Sequence, residues 1–308
     1  MTFRHTRATT KVAAGAALLA LALTACGSSS DAPSTDAGST GKADKGTITL
    51  GFIPSWTDGL STAYLLQNQL GKLGYTVKMK TVTDAALLYT ALAQGDVDMY
   101  PSAWPEVTHK AYMEKYGKDI EDVGAYYENA KLTLGVPEYS KIQSIADLPQ
   151  FAKELDGKII GIEPGAGLTK ATKEQVIPDY NLGGDFELVT SSTSAMLAEL
   201  KKAESKKQEI VVTLWRPFWA NSTFNIRDLK DPKDAFGKPE ALHFLGHKGF
   251  AKDFPDAAKL INGIKLDDSE YGSLEDMVVN EFGEGKEPEA INAWLKANPK
   301  AFDTEITS

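Results

Sequence analysis

The chain has 308 residues, is 42% hydrophobic and 24% charged, and carries a formal net charge of −9 with one cysteine. That length holds two ordinary domains or one large one, and a single cysteine excludes a disulfide framework. An acidic balance argues against nucleic acid or an anionic lipid surface as the partner.

Residues 1–25 read as an export signal. Arg4, Arg7 and Lys11 form a basic start, and the apolar run from Val12 to Leu23 is too short for a permanent membrane span. The segment closes on Leu23-Thr24-Ala25-Cys26, which is similar to a bacterial lipobox and puts the one cysteine where such a motif is lipidated. Cys26 is therefore expected as the mature, lipid-bearing N-terminus, with the protein anchored at the cell membrane and facing away from the cytoplasm. Residues 26–46 are rich in Gly, Ser, Thr and Asp and almost lack apolar side chains, so they read as a flexible tether with a reach of roughly 25 Å.

From Thr47 onward, short β-type runs alternate with helical ones. Thr47 to Phe52 is a strand, followed by a helix capped by Thr57 or Asp58 and stopping at Gly71. Tyr75 to Val82 alternates again, Asp84 to Gly95 is a helix, and Val97 to Tyr100 is the next strand. A second series comprises strands at Lys158–Ile162, Phe186–Thr190 and Ile210–Leu214, with helices opening near Gly167 and Ser194. Repeated βα units predict a mostly parallel sheet covered by helices. The strand before Pro137 is a crossing between two lobes, and Ala241–Phe250 is the return. Residues 47–136 are thus expected as lobe 1, 137–240 as lobe 2 and 241–308 as a return to lobe 1, with a ligand cleft between the lobes.

Three of the five tryptophans occupy matching places. Trp56, Trp104 and Trp215 each lie just beyond the C-terminal end of an expected strand, where the cleft should be. Trp294, spaced helically with Ile291 and Leu295, reads as core, and Trp219 as either core or a neighbour of the site. Indole faces attract cations, each contact being worth about 0.5 to 2 kcal/mol. A quaternary ammonium has no N–H, so a box of indoles can take it out of water without leaving a donor unpaired. Gly161 to Lys170 supplies an anion site of the opposite kind. There a strand, a turn with Gly165 and Gly167, and a helix start would aim the N–H groups of Gly167 and Leu168 at a carboxylate. His109, five residues past Trp104, is a further donor. Cation box and anion turn together describe a zwitterion.

The stretches IPSWTD, SAWPEVTH, GIEPGAGL and VTLWRPFW resemble, as a set, the substrate-binding proteins of glycine betaine and choline ABC importers, over about Thr47 to Leu295. The resemblance implies a two-lobed α/β fold of the type II periplasmic-binding-protein kind with two hinge crossings. It places Trp56, Trp104 and Trp215 around a trimethylammonium group, and Gly167, Leu168 and His109 on the carboxylate. It also implies an ABC permease and its ATPase as partners, and osmoprotectant uptake as the purpose. Asp58 matches the aspartate that meets the hydroxyl of choline in the choline-binding members. Those proteins, however, carry an aromatic where this chain has Leu132 and an asparagine-containing turn where it has GAGL. In VTLWRPFW, Phe218 replaces a histidine often found there. The balance favours a betaine, with choline or carnitine as the alternative. A protonated His109 would strengthen betaine binding at low pH, and an ionised Asp58 would strengthen choline binding at high pH.

No hydrolase elbow, P-loop, HExxH or CxxC motif occurs, and GAGLTK has Lys170 where a dinucleotide fingerprint needs its third glycine. His243 and His247 are four apart, but Gly246 and a β-like context spoil the helical face that a metal pair needs. The reading is a non-catalytic receptor with no cofactor and no metal.

Overall fold

The computed structural model describes residues 45–299 and residue 301; Cys26, the export signal and nearly all of the tether lie outside the described residues. Nine strands follow in chain order: β1 (Thr47–Phe52), β2 (Thr76–Thr81), β3 (Met99–Ala103), β4 (Ile120–Pro137), β5 (Lys158–Ile160), β6 (Glu187–Val189), β7 (Val212–Arg216), β8 (Ile226–Asp228) and β9 (Glu240–His247). They are ordered β2-β1-β3-β9-β4-β7-β5-β6, with β8 also on β4. The β2-β1-β3 and β7-β5-β6 groups are each parallel, while β9 and β4 run antiparallel to their neighbours. Two βα-built halves are thus joined through a pair of antiparallel strands.

Strand β4 is the element that makes this possible. Its first part, to Ala130, pairs with β9 of the first half, and its last part, from Lys131, pairs with β7 of the second. The partner changes between those two residues, earlier than the lobe limit read from the sequence at 136/137. The strand is also far longer than the run before Pro137 suggests. Its polar residues Glu121, Asp122, Glu128 and Asn129 hide the pattern, and its partner Glu240 to His247 lies too far along the chain for local periodicity to reveal.

Helix α1 (Thr57–Leu73) buries Leu65, Leu66 and Leu70 completely against the first half's sheet, each contributing about 1.5 to 3 kcal/mol. It does not use Thr57 or Asp58 as its cap. Trp56 holds the N-cap position without a capping bond from its side chain, and the helix runs past Gly71 to a left-handed Gly74 at φ 100°. Helix α2 (Ala85–Gln94) behaves as its sequence predicts: Asp84 accepts from the Ala86 N–H at 2.7 Å, and Gly95 at φ 78° ends it.

Two further departures concern the site. β3 continues through Pro101 to Ala103, so the turn starts at Trp104 itself. Trp215 lies inside β7, paired with Leu132 of β4, not beyond the strand's end. Trp294 is completely buried in the helix Glu287–Ala297, and its indole N–H donates to Ser273 Oγ at 2.8 Å, in keeping with a core role. No helix among the described residues is long and apolar enough to cross a membrane.

Candidate ligand-binding site

The ends of β1, β3, β5 and β7 converge on a cavity enclosing about 330 Å³ of atom-free space including its mouth. Trp56, Asp58, Trp104, His109, Gly167, Leu168 and Trp215 all line it, so the structure brings every sequence-predicted pocket residue to one place. Thr108, Leu132, Ile162 and Ala166 complete the wall. All three indoles are largely withdrawn from solvent, Trp56 being the most exposed at 9%.

The first half fixes its aromatic walls with buried carboxylates. Asp58, in the first turn of α1, accepts from Ser102 Oγ at 2.7 Å and from the Trp104 indole N–H at 3.3 Å, both on Oδ2. Burial pushes the Asp58 carboxyl up, and those two donors partly offset that. Its placement is set by a chain behind it, since Tyr126 donates to Ser102 at 3.0 Å and meets the Tyr271 hydroxyl at 3.0 Å. Asp58 thus orients Trp104, a role that its sequence position did not suggest.

The loop from Trp104 to His109 is held from a distant strand. Glu240, the first residue of β9, accepts the backbone N–H groups of Glu106, Val107 and Thr108 at 3.0, 2.9 and 2.9 Å, and the Thr108 hydroxyl as well. No local pattern could have named Glu240, because its partners precede it by more than a hundred residues.

His109 has a defined tautomer. The Trp104 backbone N–H donates to its Nδ1 at 3.2 Å, and the Tyr89 hydroxyl lies 3.1 Å from the same nitrogen. A backbone N–H can only donate, so Nδ1 is the acceptor and Nε2 carries the proton. The imidazole stacks nearly parallel to Trp56, at 15° with centroids 6.2 Å apart. It is 2% exposed, and burial pushes its pKa down to about 3. Burial thus works against the protonated His109 expected from the sequence, and the neutral ring offers an Nε2–H.

The second half contributes shape. Trp215 is held flat by its place in β7 and by Phe218, whose ring stacks on it at 3.9 Å and 21°. Helix α3 (Gly167–Ala171) opens at the cavity and continues as helical turns to Asp179. Its first N–H groups are the free donors of a helix start. A Cβ at Gly167 would stand 2.3 Å from the Thr108 carbonyl oxygen, and one at Gly165 would stand 1.8 Å from Asp84 Oδ2. At Gly167 the close atom is backbone, so glycine is required there by this approach of the two halves; at Gly165 it is the end of the Asp84 side chain, and φ is not positive at either. Tyr112 adds a bond across the same contact, donating to the Gly165 carbonyl at 2.8 Å.

A carboxylate in the second half was missed although it lies within a quoted motif. Glu163 accepts from the Trp56 indole N–H at 3.1 Å, Ser55 Oγ at 3.1 Å, and the Thr193 backbone N–H and hydroxyl at 2.9 Å each. Trp219 is half-buried beside Phe218 and Phe224 and lines a neighbouring cleft, not this cavity. His243 and His247 face separate carboxylates, Asp122 at 2.9 Å and Asp253 at 3.3 Å. No cluster of metal-ligating side chains occurs among the described residues.

Comparison with known proteins identifies the family. Residues 46–297 match the family model described as the substrate-binding domain of ABC-type glycine betaine transport system. The glycine betaine/carnitine transport binding protein GbuC of Listeria monocytogenes is 38% identical over 153 residues, a match spanning 48% of this chain and about half, 49%, of that relative. The crystal structure of lactococcal OpuAC, closed around glycine betaine, superposes with a TM-score of 0.76 at 29% identity, covering 83% of this chain and 98% of that one. An ABC-transporter choline-binding protein in complex with choline superposes with a TM-score of 0.75 at 28% identity, covering 83% and 89%. The two-lobed, periplasmic-binding-protein-like fold expected from the sequence is the fold of these structures.

Proposed function

The chain belongs to the family of substrate-binding domains of ABC-type glycine betaine transport systems, and on that premise we propose that it captures glycine betaine, or a closely related betaine, in a tryptophan cage. It is a transport receptor and not an enzyme. The single observation that carries the ligand reading is the convergence of three indoles, one fixed imidazole N–H and one helix start on a buried cavity with no cationic side chain in its wall. A trimethylammonium group fits against Trp56, Trp104 and Trp215. The carboxylate then reaches His109 Nε2–H and the backbone N–H groups of Gly167 and Leu168. Ligand contacts both halves, so binding favours the state in which they meet, and that closed state is what a permease and its ATPase would accept.

Asp58 lines the cavity, which supports choline as a second reading. Against it, Asp58 Oδ2 is already used by Ser102 and Trp104, and Leu132 offers no aromatic face. Carnitine shares the head group and the carboxylate, so it is the other alternative. We take uptake of an osmoprotectant as the purpose, and lipidation of Cys26 as the anchor that holds the receptor at the outer face of the membrane. On this reading residues 1–25 are removed, 26–46 form the tether, and the lobes are 47–136 with 241–308 against 137–240.

Isothermal titration with glycine betaine, choline and carnitine tests the ligand. The expected dissociation constant for betaine is on the order of micromolar, equivalent to roughly −8 kcal/mol. No heat from any of the three at millimolar concentration would remove the cage. Membrane fractionation of Cys26→Ser tests the anchor: the variant should be released, because a diacylated cysteine holds firmly.

A further inference from the structure

We propose that Glu163 is a latch between the lobes and the positioning residue for Trp56: a carboxylate on the second lobe that seizes the indole of the first and fixes it in its cation-binding orientation. The proposal rests on the cage reading above and adds to it the residue that makes the cage depend on closure.

The bonds divide cleanly by origin. Thr193, at the first position of the helix Thr193–Lys206, donates its backbone N–H to Oε1 and its hydroxyl to Oε2, both from Glu163's own lobe. Ser55 donates its hydroxyl to Oε1 and Trp56 its indole N–H to Oε2, both from the other lobe. Each oxygen thus takes one donor from each side. The Thr193 pair exists whether or not the lobes meet, and it holds the carboxylate ready near a helix start, where negative charge is favoured. The Ser55 and Trp56 pair exists only when they meet. Glu163 is 8% exposed, so little water competes for those bonds.

Two of the donors, the Thr193 N–H and the Trp56 indole N–H, cannot reverse. They lie on different oxygens, so both oxygens must accept. A glutamine has one acceptor and one donor end, and either orientation sets an NH₂ group against a fixed N–H. Glu163→Gln therefore keeps the shape but cannot accept from its own lobe's N–H and from the indole at once, so the joint hold on both lobes is lost. The carboxylate also lies at the indole's N–H edge. An indole whose N–H donates to a carboxylate gains electron density over the ring, which strengthens its hold on a cation.

The test measures glycine betaine binding by full-length wild type, Glu163→Gln and Ser55→Ala using stopped-flow tryptophan fluorescence, with melting curves of each ligand-free protein. Glu163→Gln should bind about 10- to 100-fold more weakly, the span of one or two lost hydrogen bonds to a charged group. The loss should fall on the dissociation rate, because the latch forms after encounter. Ser55→Ala, which removes one cross-lobe bond and leaves the Thr193 pair intact, should raise the dissociation rate by a smaller factor while melting like wild type. Dissociation rates within twofold of wild type for both variants would overturn the latch. So would a Ser55→Ala that leaves dissociation unchanged while Glu163→Gln lowers the ligand-free melting temperature, since Glu163 would then only support its own lobe. If wild type binds neither betaine, choline nor carnitine, the cage reading fails on its own. The latch is then judged by small-angle scattering of the ligand-free proteins, where Glu163→Gln should show the larger radius of gyration and equal radii would sink it.

Discussion

The two halves hold their shares of the site by opposite means. In the first, bulky side chains are tied by buried carboxylates: Asp58 takes the Trp104 indole, and Glu240 takes three successive N–H groups of the loop that carries His109. In the second, little is tied and much is left out. Trp215 is fixed by strand pairing and a stacked ring, and Gly165 and Gly167 leave room for the other half to approach within contact. One side is thus a built receptor surface and the other a fitted lid. The first should be damaged by removing atoms, the second by adding them.

The largest expected effect is on the walls. Trp104→Ala should cost up to about 3 kcal/mol of betaine affinity, through the lost cation face and buried area together. Trp215→Ala should cost less, because Phe218 stands directly behind it and leaves an aromatic face in reach. Calorimetry that ranks Trp215→Ala above Trp104→Ala would show that the two walls are held alike. Next, His109→Ala should weaken betaine by about 1.5 to 3 kcal/mol, as a hydrogen bond to a charged group does, and should leave choline almost unaffected. Equal losses for both ligands would show that the imidazole serves packing only.

Adding a single methyl group sharpens the contrast. Gly167→Ala puts a carbon 2.3 Å from the Thr108 carbonyl, which is backbone anchored through Glu240 and cannot move aside cheaply. Overpacking of this sort costs about 1 to 3 kcal/mol. It should fall on binding and closure, with the ligand-free melting temperature unchanged. A variant that binds normally would mean that the halves meet less closely than described.

The smallest effect is on pH. Burial pushes His109 down to about 3, while the unfolded chain protonates it near its ordinary value of 6.5. Between those values the unfolded state binds the extra proton, so His109 contributes stability above pH 6.5 that is lost as pH falls toward 3. The slope is about 1.4 kcal/mol per pH unit for one such group. Melting temperatures of wild type should fall more steeply than those of His109→Gln from pH 6 to pH 4. Betaine affinity itself should be flat from pH 6 to 8, because the donor is the neutral ring; a steady rise toward low pH would restore the charged histidine.

The fold class was legible in the sequence, and so was the gathering of the named pocket residues around one cavity. Trp56, Trp104 and Trp215 were legible because each follows an apolar run where a core needs no indole, and Gly165 and Gly167 because glycines between a strand and a helix mark close approach. What stayed hidden is what acts at long range. Strand β4 was read as its last few residues, since Glu121, Asp122, Glu128 and Asn129 interrupt its pattern and its partner lies at Glu240–His247. Glu163 and Glu240 carry single carboxylates whose meaning depends on which donors the fold brings to them. The tautomer of His109 depended on one backbone N–H that no spacing announces, and its charge state on a burial that only the fold creates.

The shared strand has a consequence for how the molecule comes apart. β4 has Ile120–Ala130 in one ladder and Lys131–Pro137 in the other, without a break in the chain between them. Neither half can therefore melt alone without stripping one end of a strand that the other half still needs. Despite its two βα series, the described part of the chain should unfold as one cooperative unit, and amide protons along β4 should exchange only through global opening.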